Sequence, residues 1–176
     1  MTSVSKPLPG QASDGKWEEA VTREALEKFG RSKNFTFHRY PDTRSGSRGK
    51  DVHMIAAQPS DFLVSFLRIV GDEAHVAHSF HVESKATTKG KLTHKTLRQY
   101  GMLKKWWWAG VEPIVLVHRL EPDDWVVLRS YRLFPGQDPF TFNEDPAPKS
   151  FDFDGLYPYP SAEAALRDVF NIKELK

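Results

Sequence analysis

Residues 59–87 read PSDFLVSFLRIVGDEAHVAHSFHVESKAT, and how this stretch pairs with itself decides the fold. Phe62 to Ile69 and Ala74 to Lys85 are rich in β-branched and aromatic residues and flank Gly71-Asp72-Glu73, which predicts two strands of one hairpin. Alternation on the second strand puts Glu83 and Lys85 on one face, so a carboxylate and an ammonium project together. If the loop has three residues, Val70 opposes Ala74, paired positions sum to 144, and Asp61 falls across from Glu83. A two-residue loop would put the two carboxylates on opposite faces. In the first register two like charges sit side by side, which destabilises the pair unless something neutralises it. A divalent cation with hard oxygen ligands does so.

Outward from this hairpin, Lys16 to Phe29 has helical spacing of apolar residues with Gly30 as its stop. Phe35 to Tyr40 alternates like a strand. Pro41 to Lys50 reads as a Gly/Ser/Arg loop, followed by a strand around Val52 to Ala57. Beyond the hairpin, Thr93 to Trp108 is expected to be a helix. Ile114 to His118 is a short apolar run of the kind buried in a parallel sheet, which suggests a crossover unit. Trp125 to Leu133 looks like another strand, Phe134 to Pro160 like an extended Pro-rich segment, and Ser161 like the N-cap of a last helix through Phe170. The expected fold is α/β, with a mixed central sheet flanked by helices.

A chain of 176 residues accommodates one domain with an ordinary core. The expected division is a loose tail over residues 1–14, a core over 15–134, and over 135–176 the Pro-rich segment and last helix packed on that core. No apolar run is long enough for a membrane span and Met1 to Gln11 lacks the pattern of a signal peptide, so a cytoplasmic location is expected. The absence of cysteine excludes disulfide scaffolds, thiolate zinc sites, iron–sulfur clusters and thiol nucleophiles. Any metal must therefore be held by oxygen ligands, which favours Mg²⁺ or Mn²⁺.

The formal net charge of +2 conceals strong segregation. Arg31, Lys33, Arg39, Arg44, Arg48 and Lys50 face only Asp42 and Asp51 between positions 31 and 58, and Lys85 to Lys105 holds seven basic residues and no acid. Glu112 to Asp154 is acidic. A basic middle beside an acidic tail suggests a surface facing a polyanion, although a charge run can equally be a solvated helix face.

The Asp, Glu-x-Lys arrangement resembles the signature of the PD-(D/E)xK nuclease superfamily, over Gly15 to Arg119. Within it the chain is most similar to RecU-type Holliday-junction resolvases. The matching pieces are Gly15 to Glu19 in the first helix, His38-Arg39-Tyr40-Pro41, Pro59-Ser60-Asp61-Phe62, Val82-Glu83-Ser84-Lys85-Ala86-Thr87, and Gln99 within Leu97-Arg98-Gln99-Tyr100 ahead of Gly110 and Ile114 to His118. The resemblance implies a restriction-endonuclease-like core and a metal-dependent DNA endonuclease. Asp61, Glu83 and the Ser84 carbonyl would hold Mg²⁺ or Mn²⁺, and Lys85 would orient or deprotonate the attacking water. Glu19 would hold a second metal or its water shell, with Glu18 as fallback, and Gln99 would position water or the scissile phosphate. Arg39, Arg44, Arg48, Lys50, Lys89, Lys91 and Lys95 are the candidate DNA-phosphate contacts. The literal Pro-Asp dipeptide is Pro41-Asp42, so Asp42 competes with Asp61, and Asp51 is a third choice. Symmetric cutting of a four-way junction requires two sites, so a homodimer follows from that function. The alternatives are a nuclease of the same superfamily acting on duplex or flap DNA, or a non-catalytic nucleic-acid-binding module.

Other patterns carry less. His75, His78 and His81 cannot converge on one zinc ion from a strand, because His78 points away from the other two. Gly46 to Lys50 lacks the first glycine of a phosphate loop, with Arg44 in its place, and Asp51 stands where Ser or Thr belongs. Trp106-Trp107-Trp108 covers more than half of a helix circumference. Core packing or a subunit interface is favoured over base stacking, because these rings lie at the far end of their helix from its connection to the catalytic strand. Phe140, Phe142, Phe151, Phe153, Tyr157 and Tyr159 are expected to anchor the Pro-rich segment.

Overall fold

A computed structural model of the chain describes residues 5–7, 13, 15–31, 34–40, 58, 60–70, 74–138, 140 and 147–172. The expected loop and strand over 41–57, with Asp42, Arg44, Arg48, Lys50 and Asp51, lie outside the described residues.

Five strands form one mixed sheet in the order β1-β2-β3-β5-β6: β1 (Phe35–Arg39), β2 (Phe62–Val70), β3 (Ala74–Thr87), β5 (Glu112–Arg119) and β6 (Asp124–Arg129). All neighbours are antiparallel except β3 and β5, which run parallel. Their connection holds the short strand β4 (Lys91–Thr93) and the helix α2 (Tyr100–Trp108), the crossover that a parallel pair requires. The hairpin takes the three-residue register: Val70 pairs with Ala74 and Phe62 with Val82.

Alternation on the strands builds a core on each face of the sheet. On one face Phe62, Val64, Phe80, Val82, Ile114, Leu116 and Val127 meet α1 (Lys16–Phe29) and α4 (Ala162–Val169). The buried positions of α1, Glu18, Thr22, Ala25, Leu26 and Phe29, follow the helical repeat that lays one stripe on the sheet. Gly15 precedes the helix with φ +83°, a conformation open to glycine and strained for other residues. α4 starts where Ser161 Oγ accepts the Ala164 N–H at 3.1 Å, as its sequence predicts. On the other face Val115, Val117, Val126 and Leu128 pack under Leu103 and Trp107 of α2, with Leu92, Leu133, Phe134, Phe151 and Phe153. Helices thus flank both faces, as expected for the fold class.

Three local expectations are corrected. The helix expected from Thr93 begins only at Tyr100, because Lys91–Thr93 pairs with the remote β7 (Ser150–Asp152), burying Leu92 beside Phe151. The strand expected through Leu133 stops at Arg129. There Ser130 turns its N–H and hydroxyl onto Glu112, and Ser130–Leu133 makes a single helical turn, α3. Of the late aromatics, Phe151 and Phe153 anchor the chain as expected, whereas Phe140 and Tyr157 are exposed. Phe142 lies outside the described residues. No helix among the described residues is long and apolar enough to cross a membrane.

Candidate active site

The register puts Asp61, the residue just before β2, level with Glu83 on β3. Asp61 is locked by its own main chain and side chain. Its carbonyl accepts the Tyr40 N–H at 2.9 Å, and its Oδ2 accepts the Ser84 N–H at 2.7 Å, so β1, β2 and β3 are clamped at this level. The Asp61 N–H in turn donates to the Glu83 carboxyl. Glu83 is fully buried; its Oε1 accepts from Lys85 Nζ, two residues along the same face, and its Oε2 has no partner.

This arrangement is electrostatically loaded. Burial, and then the neighbouring Asp61 charge, push the Glu83 carboxyl up to about 8, against the attraction of Lys85. Burial pushes Asp61 up to about 6, opposed by Lys85 and the Ser84 N–H and reinforced by the charge of Glu19. Glu19 on the first turn of α1 is ion-paired with Arg39 at the end of β1, so Glu19, Arg39, Asp61, Glu83 and Lys85 form one charged cluster. α1 is held to β3 by Ser84, whose hydroxyl donates to Thr22 Oγ1 at 3.0 Å, one helical turn after Glu19. The Ser84 side chain therefore faces away from the carboxylates and only its main chain reaches them.

A buried carboxylate oxygen without a partner is costly, and a buried carboxylate beside a half-buried one ionises with it only at a high electrostatic cost unless cations offset their charge. The donor set fits a hard divalent ion. Among the described residues no group of three or more His, Asp or Glu is placed to hold a metal by itself. The fit is therefore to an ion that takes one or two carboxylates and completes its shell with main-chain and water oxygens, the habit of Mg²⁺.

Comparison with known proteins adds little. No family model and no curated protein matches the chain. Among solved structures, it is similar to Hjc, a Holliday junction resolvase from the archaeal hyperthermophile Archaeoglobus fulgidus. The identity is 15% and the TM-score 0.41, over 84% of this chain and 98% of that one.

The other sequence candidates fall into distinct places. Glu18 is separate from the cluster. It is buried between His118 Nδ1 at 3.0 Å and Ser13 Oγ at 2.6 Å; burial pushes its carboxyl up, but these hydrogen bonds bring it below its ordinary value. Gln99 caps the start of α2 with a buried, unpartnered Oε1. Lys89, Lys91 and Lys95 are exposed. Lys89 and Lys91 line a cleft of about 320 Å³ at the C-terminal end of β3, together with Thr87, Thr88, Thr93 and Thr96. Ammonium and hydroxyl donors around such a cleft suit phosphate oxygens.

Sequence reasoning set His81 aside as a zinc ligand and gave it no place in this site. It shares the face of Glu83 and Lys85 and is buried, with Nδ1 3.0 Å from Ser60 Oγ and Nε2 without a partner. Burial pulls its imidazole down to about 4, so it is neutral at pH 7. The Ser60 hydroxyl that meets Nδ1 also lies 2.8 Å from the Phe62 carbonyl, to which it can donate. The spacing of 81, 83 and 85 on one strand was the available signal.

Proposed function

We propose that the chain is a divalent-metal-dependent DNA endonuclease, most specifically a Holliday-junction resolvase acting as a homodimer. The observation that carries the reading is the pair Asp61 and Glu83, held level by the hairpin register, with Lys85 on one Glu83 oxygen and no partner on the other. Asp61, Glu83 and the Ser84 carbonyl would hold Mg²⁺ or Mn²⁺. When bound, the ion supplies charge for the phosphate and a water acidic enough to attack it.

The protein's own groups do the rest. Lys85 donates hydrogen bonds that orient the attacking water, and with Arg39 it offers positive charge to the pentacovalent phosphate. Glu19 holds the outer water shell and keeps Arg39 in place. Gln99 positions water or the phosphate. Lys89, Lys91 and Lys95 hold flanking phosphates, which gives affinity without sequence preference and suits recognition of shape.

The test compares cleavage of a synthetic four-way junction, a flap and a linear duplex, with and without Mg²⁺. Paired nicks on the junction only, requiring Mg²⁺ and abolished in Asp61→Asn and Lys85→Ala proteins that remain folded, are expected. Cutting of duplex or flap with the same residues would move the substrate assignment and keep the chemistry. Wild-type cleavage by either variant refutes the site. Sedimentation at equilibrium tests the dimer.

A further inference from the structure

α2 runs back antiparallel to β3, so its C-terminal end returns to the level of Phe80 and His81. The three tryptophans at that end are not equivalent. Trp107 is buried and stacks on Phe134 at 4.8 Å between ring centroids, the core role expected of it. Trp106 turns the other way. Its ring lies 5.0 Å from His81, edge to face, and it is 39% exposed.

His81 is also the middle of a row. Tyr40 lies 5.9 Å from it, and His38 lies 5.6 Å from Tyr40. The register explains this alignment, since His38 opposes Leu63 and Leu63 opposes His81. His38 and His81 therefore lie one same-face step, about 6.6 Å, before the Asp61–Glu83 pair, while Tyr40, opposite Asp61, lies level with that pair. That separation is close to the spacing of successive phosphates along a strand of nucleic acid.

We propose that Trp106, held edge to face by the buried His81, is a base-stacking platform that receives an unpaired base next to the cleaved bond. The inference rests on the nuclease reading and names the substrate feature it selects: a base at the cut that is free of its partner or easily freed from it, as beside a branch point. A large aromatic held by a buried ring, partly open to solvent and beside a phosphate-cutting site offers a sequence-tolerant π surface. A fully paired duplex has no base to place there, so Trp106 contributes to branched or frayed DNA and leaves duplex affinity alone. The reason for favouring core packing of this ring, its distance from the catalytic strand, is removed by the path of α2.

The experiment uses the full chain in EDTA, with 2-aminopurine placed either unpaired at the branch of a junction or paired within a duplex. Wild-type protein is expected to quench the unpaired probe and leave the paired one unchanged. Trp106→Leu is expected to lose the quench and about tenfold in junction affinity with duplex affinity unchanged, while Trp106→Phe stays within about threefold of wild type. Junction binding and cleavage at wild-type levels by Trp106→Leu, with the probe unquenched in every protein, overturns this inference and leaves the nuclease reading standing. Failure of the wild-type chain to bind any of these DNAs overturns both.

Discussion

Glu83→Gln gives the most direct test of how the carboxylate pair is built. In the folded chain the Glu83 carboxyl sits at about 8 against an ordinary 4.5. A carboxyl raised on folding binds its proton more tightly in the folded state, so its contribution to stability is intact below 4.5, falls as pH rises, and is fully lost above about 8. At roughly 1.4 kcal/mol per pH unit, that interval sets a ceiling of about 4 kcal/mol at pH 8 and less than about 1 kcal/mol at pH 5. Asp61, raised from 3.8 to about 6, acts in the same direction over a lower window. Glutamine has nearly the shape of the protonated acid and can still accept from Lys85, so Glu83→Gln should match wild type at pH 5. At pH 8 in EDTA it should be more stable by up to about 4 kcal/mol, or about 8–16 °C in Tm for a chain of this size. Urea titrations followed by tryptophan fluorescence between pH 5 and 8.5 measure this directly. Mg²⁺ at a hundredfold excess over its Kd should return about 2.7 kcal/mol to wild type at pH 8 and much less to the variant. Wild-type and variant curves that run parallel across the range, with or without Mg²⁺, would refute the coupling of burial, charge and cation argued for this site.

Three further outcomes follow from particular side chains. Thr22→Val removes the acceptor of the Ser84 hydroxyl in a buried position, which should cost about 1–3 kcal/mol by chemical denaturation and loosen α1 over the cluster. Ser161→Ala should cost about 1 kcal/mol by removing the cap of α4, seen as a Tm lower by a few degrees. Replacing Lys89, Lys91 and Lys95 singly by Gln should weaken binding to every DNA alike. Each change should lower the slope of log affinity against log salt by about one for each phosphate that is no longer neutralised, and unchanged slopes would remove these lysines from the interface.

What the sequence made legible was whatever depends on local periodicity and on one loop length. The hairpin register followed from three residues between two runs, and with it came the meeting of Asp61 and Glu83. Features set by distant partners were not legible. Lys91 to Thr93 is helix-compatible until Ser150 to Asp152 pairs with it, and nothing near Trp106 announces that α2 will return over His81. For His81 itself, whether three histidines can bind one metal is the less useful question. The more informative comparison is with Glu83 and Lys85, which share its face.

Glu18 and Glu19 show the same limit in its sharpest form. Both stand on the first turn of α1, and nothing in the residue types separates them. Consecutive residues differ by about 100° around a helix, so the phase of α1 decides which reaches the site. That phase is set by Thr22, Ala25, Leu26 and Phe29, buried against the sheet and α4, and by the Ser84 hydroxyl bond to Thr22. Glu18 is four residues before Thr22 and shares its stripe, so it is carried inward to His118 on β5, which holds it through Nδ1 while Nε2 reaches Asp123. Glu19, one residue on, is rotated toward β1, where it meets Arg39 and acts on the charge of Asp61. The assignment of Glu19 to the cluster thus follows from the packing of apolar residues up to ten positions away, which is why a glutamate doublet could be placed near the site from sequence but not resolved.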